Sequence, residues 1–95
     1  MEKYKLLIQY RIGESNVRKQ FVFGDYDIAY KAMLDNFDSF AKEHNINPNG
    51  KKITMLSKNE NHLDCWQTGK FRYFSDITHT RRENETPMDY NEAVR

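Results

Sequence analysis

His62, Asp64 and Cys65 lie close together in the chain, and their side chains are of the types that ligate metals or pair a thiol with an imidazole. In a strand, successive side chains point to opposite faces, so His62 and Asp64 share one face while Cys65 points the other way, and the three converge only across a bulge. No second Cys/His pair completes a tetrahedral set, and the lone Cys65 reads as a small core residue. Cys65 with His62 or His79 would make a nucleophile and base, and His44, His62 and His79 an acid and base for RNA cleavage, but nothing in their spacing brings them together. A Gly-rich phosphate loop, a helix-borne His pair and a Ser in a strained turn are all missing from the sequence. Asp25-Tyr26-Asp27 reads as helix capping. The expectation is a chain without enzymatic activity, metal or cofactor.

A second constellation is basic and aromatic. Lys3, Lys5, Arg11, Arg18 and Arg72 fall at positions that alternate with apolar residues, which places them with Gln9 and Gln20 on the solvent side of a sheet, joined by Lys70 and by Trp66 or Phe74. Guanidinium groups beside aromatic rings could follow a phosphate backbone and stack bases, while Arg81 and Arg82 could grip a phosphate or an acidic protein surface. Solvent faces of strands are also commonly Lys, Arg and Gln simply because water accepts them. Near the end of the chain, Arg81, Arg82 and Tyr90 are candidate tail contacts, within or just after the apolar-free stretch Thr78 to Glu85.

The elements that must position these residues begin with the clearest pattern in the chain. Tyr4, Leu6, Ile8, Tyr10 and Ile12 alternate with Lys3, Lys5, Gln9 and Arg11, with Leu7 alone out of step, and predict a half-buried strand. Gly13 to Asn16 predicts a turn, and Val17 to Phe23 a second strand in an antiparallel hairpin, with Lys19 on the core side reaching back to solvent. Asp25 or Asp27 caps a helix spanning Ile28 to His44, whose Tyr30, Met33, Leu34, Phe37, Phe40 and Ala41 form one apolar stripe and whose outer side is acidic. Asn45 suits the left-handed position after a helix, Ile46 folds back on the last turn, and Pro48 forbids continuation. A third strand is expected over Lys52 to Lys58, with apolar residues on both faces. His62 to Gln67 and Phe71 to Phe74 follow, either as one bent strand or as two. Residues 78–95 are expected to be a polar linker and a short C-terminal helix starting at Thr86-Pro87, outside a single α+β domain of residues 1–77.

Ninety-five residues suffice for one core, and 38% hydrophobic with 14% aromatic residues predicts a core rich in Tyr and Phe. Fifteen Lys and Arg against 14 Asp and Glu leave a net charge of +1, so any attraction to a polyanion must come from charge segregated on one face. Without an apolar run long enough to span a bilayer or a signal-like start, the expectation is a cytoplasmic protein with no membrane partner.

The order hairpin, helix, strand, strand, with the helix-then-proline turn Ile46-Asn47-Pro48, resembles the β-grasp arrangement of ubiquitin-like domains, which implies a helix across one face of a mixed sheet. An antiparallel ββαββ(β) roll of four or five strands fits the same order. Ubiquitin-like modifiers end in a diglycine where this sequence has Ala93-Val94-Arg95, so conjugation chemistry is not expected. The functional expectation is a small binding domain acting through protein–protein interaction as an adaptor, regulator or inhibitor, of the kind phages and mobile elements encode. Single-stranded DNA or RNA on the basic sheet face is the alternative.

Overall fold

The computed structural model describes residues 3–59 and 61–80. Five strands and one helix follow in the order β1 (Lys3–Ile12), β2 (Ser15–Phe23), α1 (Tyr26–Glu43), β3 (Thr54–Asn59), β4 (His62–Gln67) and β5 (Phe71–Thr80). The sheet order is β2-β1-β5-β4-β3, and every pairing is antiparallel. The antiparallel roll is therefore the arrangement present, and the mixed sheet of the β-grasp resemblance is not. β1 to β2 is a hairpin with a two-residue loop, Gly13-Glu14, because Ile12 already faces Ser15. Gly13 there has φ +57°, a conformation open to glycine at little cost.

Helix α1 begins two residues before the apolar stripe predicted it. Asp25 is its cap: in extended geometry, its Oδ1 accepts from the Asp27 amide at 2.8 Å. The other end closes as the sequence predicts. Asn45 takes φ +55°, and the amide of Ile46 donates to the Ala41 carbonyl at 2.8 Å, satisfying a carbonyl of the last turn while Ile46 buries its side chain. Asp38 and Lys42 pair at 2.9 Å on the exposed side of the helix.

The helix packs against β1, β5 and β2. Leu6, Ile8, Phe23, Ala29, Met33, Phe37, Phe40, Cys65, Phe71, Tyr73 and Ile77 are buried between it and the sheet. The core is aromatic, as the composition predicts, and centres on Tyr73. Its ring lies 4.8 Å from that of Phe40, 5.1 Å from that of Phe37 and 5.8 Å from that of Tyr10.

The largest departure from expectation is β5. A strand ending near Phe74 and a polar linker from Thr78 were expected, but β5 runs without a break to Thr80 in the middle of the sheet. Its polar residues Ser75, Asp76, Thr78 and His79 are held by β1 on one side and, through Asp76, by β4 on the other: Ser75 faces Ile8, Thr78 faces Lys5 and Thr80 faces Lys3. A central strand satisfies its backbone from both neighbours, so pairing overrides a weak apolar pattern. His62 to Gln67 and Phe71 onward are two strands joined by Thr68-Gly69-Lys70, and β3 starts at Thr54, two residues later than expected. Arg81, Arg82, Tyr90 and the short helix expected after Thr86 lie outside the described residues.

Candidate functional site: the helix-free sheet face

Because α1 covers one face of the sheet, the register decides what the other face carries. Side chains of directly paired residues lie on the same side. Arg11 is paired with Arg72, and Arg72 with Trp66, which in turn faces Thr54. The next row runs Arg18, Gln9, Phe74, Asp64 and Leu56 across all five strands. Farther along, Lys5 lies beside Thr78, and Lys3 beside Thr80. All six predicted face residues, Lys3, Lys5, Arg11, Arg18, Arg72 and Trp66, thus share the helix-free face.

They are not equally available. Arg11, Arg18 and Arg72 are exposed and Trp66 is half-buried, whereas Lys5 is half-buried and Lys3 is only 6% exposed. Lys3 is therefore no part of an open binding face, and the accessible cationic residues gather at the opposite end, near the β1–β2 and β4–β5 loops, where Lys70 is also exposed.

At that end, two shallow depressions adjoin. One, of about 450 Å³, is walled by Gln9, Arg11, Asn16, Arg18, Arg72 and Phe74. The other, of about 500 Å³, runs between Arg11, Trp66, Lys70 and Arg72. Arg11 and Arg72 form the ridge common to both. The Arg72 guanidinium donates to Asp64 Oδ2 at 3.0 Å and sits 5.6 Å from the Trp66 ring centre, so it is held between a carboxylate and an aromatic face. Among the described residues, Arg11 and Arg18 make no ion pair or side-chain hydrogen bond. Like charges directly across a strand pair repel, but Asp64 offsets Arg72, so Arg11 and Arg18 are cations of this end without a compensating charge among the described residues.

Asp64 is the site residue that sequence reasoning missed. It was weighed as a metal ligand, but in the structure it positions Arg72. Its side chain is 10% exposed, and Oδ1 has no hydrogen-bond partner among the described residues. The alternation of His62, Asp64 and Trp66 against buried Leu63 and Cys65 contains the signal that Asp64 and Trp66 share a face, but not that Arg72 lies beside both.

The candidate catalytic groups stay apart. Cys65 is fully buried on the helix side, with its thiol pushed above the ordinary value mainly by burial and further by the Asp64 charge. His62 is on the other face, against the Phe74 ring at 4.9 Å and Asp76 at 3.8 Å. His44 caps α1 beside Phe40 and Tyr10, while the His79 ring lies tilted at 5.2 Å from that of Tyr4. Tyr4 and Tyr10 stand six residues apart on one strand, roughly 20 Å, so the two histidines cannot share a proton relay. Among the described residues no three His, Cys, Asp or Glu side chains group as a metal would need, and no helix is long and apolar enough to cross a membrane.

No family model, curated protein or solved structure matches this chain. The geometry of the sheet face is therefore what any functional reading has to stand on.

Proposed function

We propose that this protein is a non-enzymatic binding domain whose helix-free sheet face docks an acidic surface of a protein partner, in the manner of an adaptor, regulator or inhibitor. The observation that carries the reading is the ridge of Arg11 and Arg72, with Arg18 alongside and Trp66 and Phe74 flanking it. Arginine and tryptophan are the residues in which interface energy concentrates, and a guanidinium offers carboxylates a forked pair of donors. The exterior of α1 carries exposed Asp27, Asp38 and Glu43 beside exposed Lys31 and Lys42, so it offers an acidic partner less attraction than the arginine ridge does.

A second reading, single-stranded DNA or RNA, is favoured by the half-exposed Trp66 and Phe74, which could stack bases between the same guanidinium groups. The emission of Trp66, the only tryptophan, separates the two. Titration with poly-glutamate, single-stranded oligonucleotides and duplex DNA at low and moderate salt, checked by anisotropy of the labelled polymer, should give saturable binding of the acidic polypeptide. Binding of oligonucleotides alone, weakening steeply with salt, would replace the protein reading with the nucleic-acid one. Silence from every probe at low salt would overturn the assignment of this face.

A further inference from the structure

Among the described residues the sheet has two edges, and they are built differently. β2 presents exposed Arg18, Lys19 and Gln20, charged and polar side chains of the kind that discourage another chain from adding to an edge. β3 presents Thr54, Met55 and Leu56, with Met55 44% and Leu56 39% exposed. These neighbours point to opposite faces of the sheet, since Met55 is paired with buried Cys65 and Leu56 with Asp64. The strand thus offers apolar surface on both sides, and no charged residue stands between Lys52 and Lys58. The helix packs mainly on β1, β5 and β2. An edge of this kind is a template for strand addition.

We infer that β3 receives an extended segment of a protein partner as a sixth strand, and that this segment carries acidic residues beside its apolar ones. This deepens the protein-partner reading above and rests on it. The charge comes from exposed Lys51 and Lys52, which lead into the strand. On the helix-free face, the added strand would lie next to Thr54 and Leu56, in line with the row that continues through Trp66 and Arg72 to Arg11. A single partner can therefore occupy the edge and the basic face together.

The test is amide hydrogen exchange of Thr54, Met55 and Leu56, read by NMR on the full chain. The probe is a synthetic peptide of alternating valine and threonine with glutamates at both ends, and the control is the same peptide with lysine ends. The glutamate peptide should slow exchange at those of these amides that point away from β4, since the others are already bonded to it, and leave the β2 edge unchanged. Met55→Lys with Leu56→Lys should weaken the peptide about tenfold or more through lost apolar burial. Met55→Thr with Leu56→Thr, which keeps strand propensity, guards against a folding defect and should weaken it in the same direction. Protection of the β3 amides is read apart from chemical-shift changes at Arg11 and Arg18, which separates failure at the edge from failure of the basic face. Equal binding of the lysine-ended peptide, absence of protection at saturating peptide, or protection that grows with protein concentration in the absence of peptide would each overturn the inference, the last in favour of a second copy.

Discussion

Replacing Arg72 and Asp64 singly and together should reveal a pronounced asymmetry. Arg72→Ala removes the 3.0 Å bond to Asp64 Oδ2 and the contact with Trp66, and it leaves a carboxylate nine-tenths buried with neither oxygen satisfied among the described residues. A hydrogen bond to a charged group contributes about 1.5–3 kcal/mol, and a guanidinium over an exposed ring about 0.5–1 kcal/mol. Because Arg72 itself is 68% exposed and screened by water, the lower half of the summed range applies, giving a loss of about 2–3 kcal/mol. For a domain of this size that lowers the melting midpoint by roughly 10–20 °C. Asp64→Ala removes the same bond but also removes the unsatisfied Oδ1, whose burial costs the fold about 1–3 kcal/mol, so its net effect should stay within about 1 kcal/mol. The double variant should then be more stable than Arg72→Ala alone, with a coupling of about 1–2 kcal/mol measured by urea unfolding. Equal losses in the two single variants, adding in the double, would refute the reasoning that Asp64 serves to hold Arg72.

Other perturbations test the packing that presents the face. Burial, reinforced by Tyr10, pushes the Tyr73 phenol well above its ordinary value. The unfolded chain therefore loses this proton first as pH rises past about 10, and stability present below that pH is lost above it. The urea midpoint should fall between neutral pH and pH about 11, and Tyr73→Phe should fall less. An identical alkaline loss in Tyr73→Phe would remove Tyr73 as the cause. Asn45→Ala places a Cβ-bearing residue without asparagine's local hydrogen bonding at φ +55° and should cost about 1 kcal/mol in urea unfolding, whereas Asn45→Gly should cost nothing. Asp25→Ala should cost about 1 kcal/mol through the lost cap, and an unchanged midpoint would mean that the 2.8 Å bond to the Asp27 amide contributes nothing in solution.

The sequence and the structure agree where the physics is local. Alternation in Tyr4 to Ile12, the helical stripe through Phe37 and Phe40, and the Asn45-Ile46 stop each depend on residues a few positions apart, and each element stands within two residues of where it was expected. The disagreement over β5 has the opposite origin. Ser75, Asp76, Thr78, His79 and Thr80 carry little strand signal of their own and are ordered by β1, some seventy residues earlier in the chain, so the linker expected from Thr78 is strand as far as Thr80. The candidate site divides along the same line. Parity along each strand places Arg11, Arg18, Trp66 and Arg72 on the solvent side, but the facing of Arg11 by Arg72, the support of Arg72 by Asp64 and the burial of Lys3 all depend on register between strands, which no single segment encodes.

Arg11→Glu with Arg18→Glu tests the working face most directly, because both side chains are exposed and, among the described residues, unpaired, so reversal should leave the fold intact. Anisotropy of labelled poly-glutamate at low salt should report saturable binding to the wild-type chain and none to the double variant, with the two proteins melting together. Undiminished binding by a folded double variant would contradict the claim that this face receives the partner.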